Sequence, residues 1–238
     1  SVSGRLSGLL LSLSPLTALK LGELAHAAGL PPGVLQVVPG PGGAIGEALI
    51  THPHIRKVSL TGSTEVGRRA MELAARDFKR VSLELGGKSP NIVFADADWQ
   101  VAADASPMSV FANTGQDCCA RSRMFIERSI YDKFAERFVA ATKKLVVGNP
   151  TKAETQLGPL VSSNQRAAVE EFIADARNRG SQFACGGARP HPKGYYLEPT
   201  VLLDVGKTDR CWREEIFGPV VCLTPFADEA AMLREVNA

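Results

Sequence analysis

The chain has 238 residues, 45% hydrophobic and 22% charged, ordinary globular proportions that argue against intrinsic disorder. Lys and Arg number 27 against 25 Asp and Glu, a formal charge of +2, which leaves no electrostatic footprint for nucleic acid or an anionic membrane. The longest apolar stretch, near Leu9–Leu13, is broken by serine; it is far short of a membrane span, and no small-residue cleavage site follows it.

Residues 1–14 carry little pattern and stay unassigned. Leu21, Leu24, Ala25 and Ala28 then recur at helical spacing and predict a helix over 16–28, ended by Gly29 and Pro31-Pro32. A strand follows at 34–38. Gly40, Gly42, Gly43 and Gly46 open a short helix with Ile45, Ala48 and Leu49 inward. A strand at 58–61 leads through Gly62-Ser63 into a helix with Val66, Ala70, Leu73 and Ala74 on one face, and a strand spans 79–85. This α-β-α-β-α-β run predicts a three-stranded parallel sheet. Gly86-Gly87 marks a boundary between domains at 15–85 and 86–238.

Beyond it the pattern predicts a strand at 91–94 and a helix capped by Asp98, which Pro107 kinks or restarts. A strand at 124–126 precedes a helix over 129–146 that buries Phe134, Phe138, Ala141 and Leu145. The next helix, over 164–179, buries Val169, Phe172, Ile173 and Ala176 and ends at Gly180. Strands are expected near 182–185, 199–204 and 219–225, and a last helix from Asp228 still runs at Ala238. The fold class is α/β: a partial Rossmann-like, parallel-sheet cofactor domain followed by a partial α/β catalytic domain. With no initiating Met and a thin first sheet, the sequence reads as a piece of something larger.

Five cysteines at irregular spacing, two of them adjacent, suit neither a zinc knuckle nor a disulfide framework. They point to a reducing, cytoplasmic setting with free thiols. The four histidines are scattered, and no metal site is expected. Five segments could carry chemistry. Gly40–Gly46 and Thr61–Gly67 are glycine turns between a strand and a helix, where a phosphate meets free N–H groups; a tight turn and an ordinary helix cap are the competing readings. Glu84 stands between leucines, so burial should raise its pKa and suit it to base catalysis unless it pairs with Lys88. Cys118 and Cys119 are adjacent thiols, either of them a nucleophile given a cation or backbone dipoles to stabilise a thiolate. Glu214-Glu215-Ile216-Phe217-Gly218-Pro219 could present a carboxylate and a ring to a ligand.

Together these stretches resemble the NAD(P)-dependent aldehyde dehydrogenase superfamily. The matching runs are Pro15–Gly40, Thr61–Gly67 (TGSTEVG), Leu83–Asn91 (LELGGKSPN), Gly115–Arg123 (GQDCCARSR) and Glu214–Val220 (EEIFGPV), in family order. The resemblance implies that Cys118, two residues after Gln116, is the nucleophile and Cys119 its neighbour. It makes Glu84 the general base for thioester hydrolysis. It places Gly42, Gly46, Gly62, Ser63, Val66, Leu85, Gln165, Glu215 and Phe217 at the cofactor, NAD or NADP, with Glu215 on the nicotinamide ribose and Phe217 beside the ring. The implied reaction is attack of the Cys118 thiolate on a small-molecule aldehyde, hydride transfer and hydrolysis of the thioester to a carboxylic acid.

Departures from the family pattern shape further expectations. A Pro-Trp-Asn segment that supplies an oxyanion-hole Asn is missing, as is a closing segment for subunit pairing. Leu9 and Ser12 stand where the family has a Lys and a Glu near the adenosine ribose. The expectation is therefore an internal fragment with little NAD-linked activity alone and a homo-oligomer in full-length form. The alternative is a non-catalytic remnant acting only in subunit association.

Overall fold

The computed structural model describes residues 15–237 and the backbone of residues 6–10. The chain divides into two compact units, Ser1–Leu85 and Gly86–Ala238.

The first unit runs β1 (Leu6–Leu10), α1 (Leu16–Ala27), β2 (Leu35–Pro39), α2 (Gly42–Thr51), β3 (Lys57–Thr61), α3 (Thr64–Ala75) and β4 (Arg80–Glu84). β1 pairs with β2 and β3 with β4, both in parallel. Two departures from the sequence reading follow. A strand forms inside the unassigned start, and the strands make two pairs rather than one three-stranded sheet. Ser12 and the side chain of Leu9 lie outside the described residues.

Alternation along β3 and β4 turns Val58, Leu60, Val81 and Leu83 onto a small core of Ile50, Ala70, Leu73 and Ala74. Ile50, not Ala48, is the residue of α2 that reaches this core. Val66 was expected inside but is 51% exposed, because it sits in the first turn of α3, beside Gly62, where the helix has not yet reached the strands. Lys79 closes the far end of α2: its buried ammonium donates to the carbonyls of Ile50 and His52 at 2.6 and 2.7 Å, a cation on the negative pole of a helix.

The second unit runs β5 (Pro90–Val93), α4 (Trp99–Phe111), a 3₁₀ turn (Ala112–Gly115), β6 (Arg123–Glu127), α5 (Tyr131–Thr142) and α6 (Ser163–Asn178). It continues with β7 (Gln182–Cys185), β8 (Thr200–Leu203), α7 (Arg210–Arg213), β9 (Val220–Phe226) and α8 (Glu229–Val236). The strands form one sheet in the order β5-β6-β9-β8-β7, parallel except for β7. Period-two alternation divides the side chains between two faces. Phe125, Leu202 and Cys222 join α6, α7 and α8 on one. Met124, Ile126, Val201, Val221 and Leu223 join α4 and α5 on the other.

Three helix ends differ from expectation. α4 continues through Pro107 and does not restart there; the missing N–H leaves the Ala103 carbonyl without its usual partner, and Pro107 is buried. α5 stops at Thr142, where the chain leaves to let the Val146 carbonyl accept from Gln156 and Leu157. α8 ends at Val236, capped as the Asn237 side chain donates to the Leu233 carbonyl. No helix among the described residues is long and apolar enough to cross a membrane.

Candidate active site

In the second unit the segment after α4 is held in an uncommon shape. Asn113 and Thr114 take φ of 52° and 59°, and Gly115 follows at 71°. A β-branched residue in the left-handed region is strained, so fixed partners must hold it. The buried Thr114 hydroxyl donates to the Gly158 carbonyl at 3.0 Å. Asn113 and Gln116 exchange side-chain to main-chain bonds at 2.9 and 3.1 Å. Gln116 Oε1 accepts the Val161 N–H at 2.8 Å. The glutamine of the GQ-x-C run is thus a brace between two loops.

A third loop closes on the same segment. A Cβ at Gly115 would stand 2.2 Å from the Gly218 carbonyl oxygen, and one at Gly218 would stand 2.4 Å from Val169 Cγ2. Only glycine admits either approach. Gln165, in the first turn of α6, donates to the Phe217 carbonyl at 2.9 Å. Phe217 itself has φ 52° and is 39% exposed, so its ring stands out beside the loop.

Gly86-Gly87 completes the group. Glu215 accepts the Gly87 N–H at 3.3 Å, and its Oε2 occupies the space that a Cβ of Gly86 would need, 2.1 Å away. On the other side, a Cβ at Gly87 would lie 3.1 Å from the Cys118 carbonyl oxygen. The Cys118 main chain and the Glu215 carboxylate therefore meet at one glycine turn, and Gln165 holds the main chain of Phe217, two residues beyond Glu215. Neither Gln116 as a brace nor the meeting of Gly115 with Gly218 was read from the sequence; two short motifs each built around a glycine were the available signal.

Cys118 is half-buried and Cys119 exposed, their sulfurs 3.9 Å apart. The hydrogen bond to the Cys119 thiol, then that thiol's charge, burial and the Asp117 carboxylate all push the Cys118 thiol above its ordinary pKa; its own backbone N–H alone pulls it down. The stabilising cation that a thiolate needs is not among these groups.

In the first unit, Ser63 caps α3 by accepting the Val66 N–H at 3.2 Å, and the Gly62 N–H donates to the Glu84 carbonyl at 3.0 Å. A Cβ at Gly67 would strike Leu85 at 2.6 Å. Gly62, Ser63, Val66, Glu84 and Leu85 thus meet where β3 and β4 end. Gly42 and Gly46 lie in α2, which is tied to α3 by a two-bond Arg69–Glu47 pair at 2.8 and 3.2 Å. Glu84 departs from expectation: it is exposed. Strand alternation sends its leucine neighbour Leu83 to the core and Glu84 to the opposite face, so flanking leucines do not desolvate it. The Lys88 ammonium is buried without a hydrogen-bond partner among the described residues, and burial pushes its pKa down, with Arg123 acting the same way.

Three substitutions have definite outcomes. Gly115→Ala must displace backbone and adds a left-handed strain of roughly 1–2 kcal/mol, so its urea midpoint falls well below that of the parent chain. Gly86→Ala displaces only the flexible end of Glu215 and leaves the unfolding free energy within about 0.5 kcal/mol of the parent. For Cys119→Ala, removing the hydrogen bond and charge that raise the Cys118 thiol moves the pH midpoint of Cys118 alkylation downward; an unmoved midpoint contradicts this.

The comparisons agree with the geometry. A family model described as "Aldehyde dehydrogenase family" matches residues 11–238. Succinate-semialdehyde dehydrogenase [NADP(+)] of Escherichia coli is 44% identical over 226 residues, which is 95% of this chain and 47% of that protein. Human retinaldehyde dehydrogenase 3 is 43% identical over 226 residues, 94% of this chain and 44% of that protein. The solved NAD-dependent aldehyde dehydrogenase of Sinorhizobium meliloti superposes with a TM-score of 0.95 at 36% identity, covering 98% of this chain and 46% of that one. The chain spans about half the length of the curated relatives it matches. With the profile covering nearly every residue and the fold shared throughout, the chain belongs to the aldehyde dehydrogenase family.

Proposed function

We propose that this chain carries the nucleophile, the general base and much of the cofactor cradle for oxidation of an aldehyde to a carboxylic acid with NAD+ or NADP+. The observation that supports the reading best is the meeting of the Glu215 carboxylate and the Cys118 main chain at Gly86-Gly87, with Gln165 bonded to the Phe217 carbonyl two residues along the same loop.

The residues fit a dinucleotide. α2 begins without a side-chain cap, and a Cβ at Gly42 or Gly43 would meet nothing within 4 Å among the described residues, so N–H groups are free for a phosphate. Ser63 and Val66 offer a hydroxyl and an exposed apolar surface at the next turn. Glu215, anchored by Gly87, is placed to accept from the hydroxyls of a ribose, with the Phe217 ring beside it. When bound, the nicotinamide supplies a hydride acceptor.

The chain's own residues divide the remaining work. The Cys118 sulfur forms a bond to the aldehyde carbon, and the oxyanion that results needs preorganised donors; the Cys118 backbone N–H is one. Loss of the aldehydic hydride leaves a thioester on Cys118. Glu84, exposed and so in reach of water, takes the proton of the water that hydrolyses it. The E. coli and human relatives are named for chemically unlike aldehydes at nearly equal identity. What this half of the chain holds in common with them is the shared chemistry, not the selection of one aldehyde. Cytoplasmic residence and assembly into a homo-oligomer belong to the same reading, supported by the free thiols and by a cytosolic rat relative at 45% identity.

Acylation by an activated nitrophenyl ester tests the division of labour, because it needs no hydride acceptor. The chain should give a burst of nitrophenol and an acyl group on Cys118, both absent in Cys118→Ala. Glu84→Gln should keep the burst while turnover falls about 10²–10⁴-fold. A burst that survives Cys118→Ala, or label found on Cys119, overturns the assignment.

A further inference from the structure

From Asp117, Cys118 and Cys119 we infer a three-donor site for a soft divalent cation of the zinc class, whose binding takes the Cys118 sulfur out of nucleophilic service. Histidines and knuckle spacing gave the sequence no metal site; the folded geometry brings together a different donor set. One carboxylate oxygen and both sulfurs lie within 4.8 Å of one another.

The spacing decides between the two things adjacent thiols can do. In tetrahedral zinc with Zn–S bonds of about 2.3 Å, two sulfurs stand about 3.8 Å apart. Cys118 Sγ and Cys119 Sγ are 3.9 Å apart. A disulfide asks for more rearrangement: neighbouring Cα atoms across a trans peptide are held about 3.8 Å apart, below the ~4.4–6.8 Å that disulfides usually span. The third donor is already oriented, since Asp117 Oδ1 accepts the Cys119 N–H at 3.0 Å. Asp117 and Cys119 are exposed and Cys118 is half-exposed, so a hydrated ion can reach all three.

The exchange balances without oxidation. Each S–H bond breaks, its proton goes to solvent, and each sulfur lone pair replaces a water on the six-coordinate hydrated ion; the carboxylate replaces a third, and two further waters leave as the ion becomes four-coordinate. Two thiolates, one carboxylate and one retained water complete four-coordination, with two protons released. Binding rests on the donor geometry alone. Silencing of the nucleophile rests on the proposed role of Cys118.

The test uses zinc and cobalt ions with the reduced chain in degassed buffer. Cobalt should give thiolate-to-metal absorption at one ion per chain. Zinc should shield Cys118 and Cys119 together from iodoacetamide, read by peptide mass spectrometry, and a chelator should restore labelling. Cys119→Ser and Cys119→Ala, checked by circular dichroism, should each weaken zinc's shielding of Cys118 by more than the roughly 10–100-fold that outer hydrogen-bond partners of a metal site contribute. Asp117→Asn should weaken it less. Shielding of Cys118 unchanged in both Cys119 variants, or cobalt–thiolate absorption that persists when Cys118 and Cys119 are both serine, overturns the site. Neither readout uses aldehyde oxidation, so failure of the metal site and failure of the enzymatic reading remain distinct.

Discussion

Backbone meeting backbone with no room for a side chain is the constraint on which the second unit's loops depend. The Gly218 carbonyl fills the space that a Cβ of Gly115 would take, while at Gly86 it is the movable Glu215 carboxylate that comes close. These approaches bring the GQ-x-C loop, the loop before β9 and the start of the second unit to one place. The strained Asn113 and Thr114 are tolerable because the hydrogen bonds to Gly158 and between Asn113 and Gln116 fix them. The fixed bonds set the main chain that leads into Cys118.

The electrostatics of that thiol complement its position. Its neighbours Cys119 and Asp117 both favour the neutral form. The proposed nicotinamide cation and the proposed divalent ion are both positive, and either would reward ionisation of the same sulfur. The crowding of thiols and carboxylate that favours the neutral thiol is also the donor set of the proposed soft-metal site.

Much of this was legible in the sequence because the relevant signals are local. The stripe Val169, Phe172, Ile173 and Ala176 is buried as its spacing predicts, and Asp98 and Asp228 cap α4 and α8 through their side chains. Other features depend on long-range pairing. Residues 6–10 have little pattern of their own and become a strand by lying along Leu35–Pro39. Glu84 looks buried because leucines flank it, but in a strand the immediate neighbours point the other way. Pro107 is a helix breaker by type, and the packing around α4 overrides it. Individually the glycines at 86, 87, 115 and 218 could serve ordinary turns; their joint purpose is visible only when the loops that they allow to touch are folded together.

The central claim is that the sulfur of Cys118 and the carboxylate of Glu215 line one crevice that accepts NAD(P)+. The most direct measurement is the rate of Cys118 alkylation, at a pH where the thiol is fully ionised, against cofactor concentration, with binding followed in parallel by calorimetry. The account predicts that NAD+ or NADP+ slows alkylation along its binding curve and that Glu215→Gln weakens both effects together. Alkylation of Cys118 that is indifferent to saturating cofactor, or no cofactor binding at all, would contradict it.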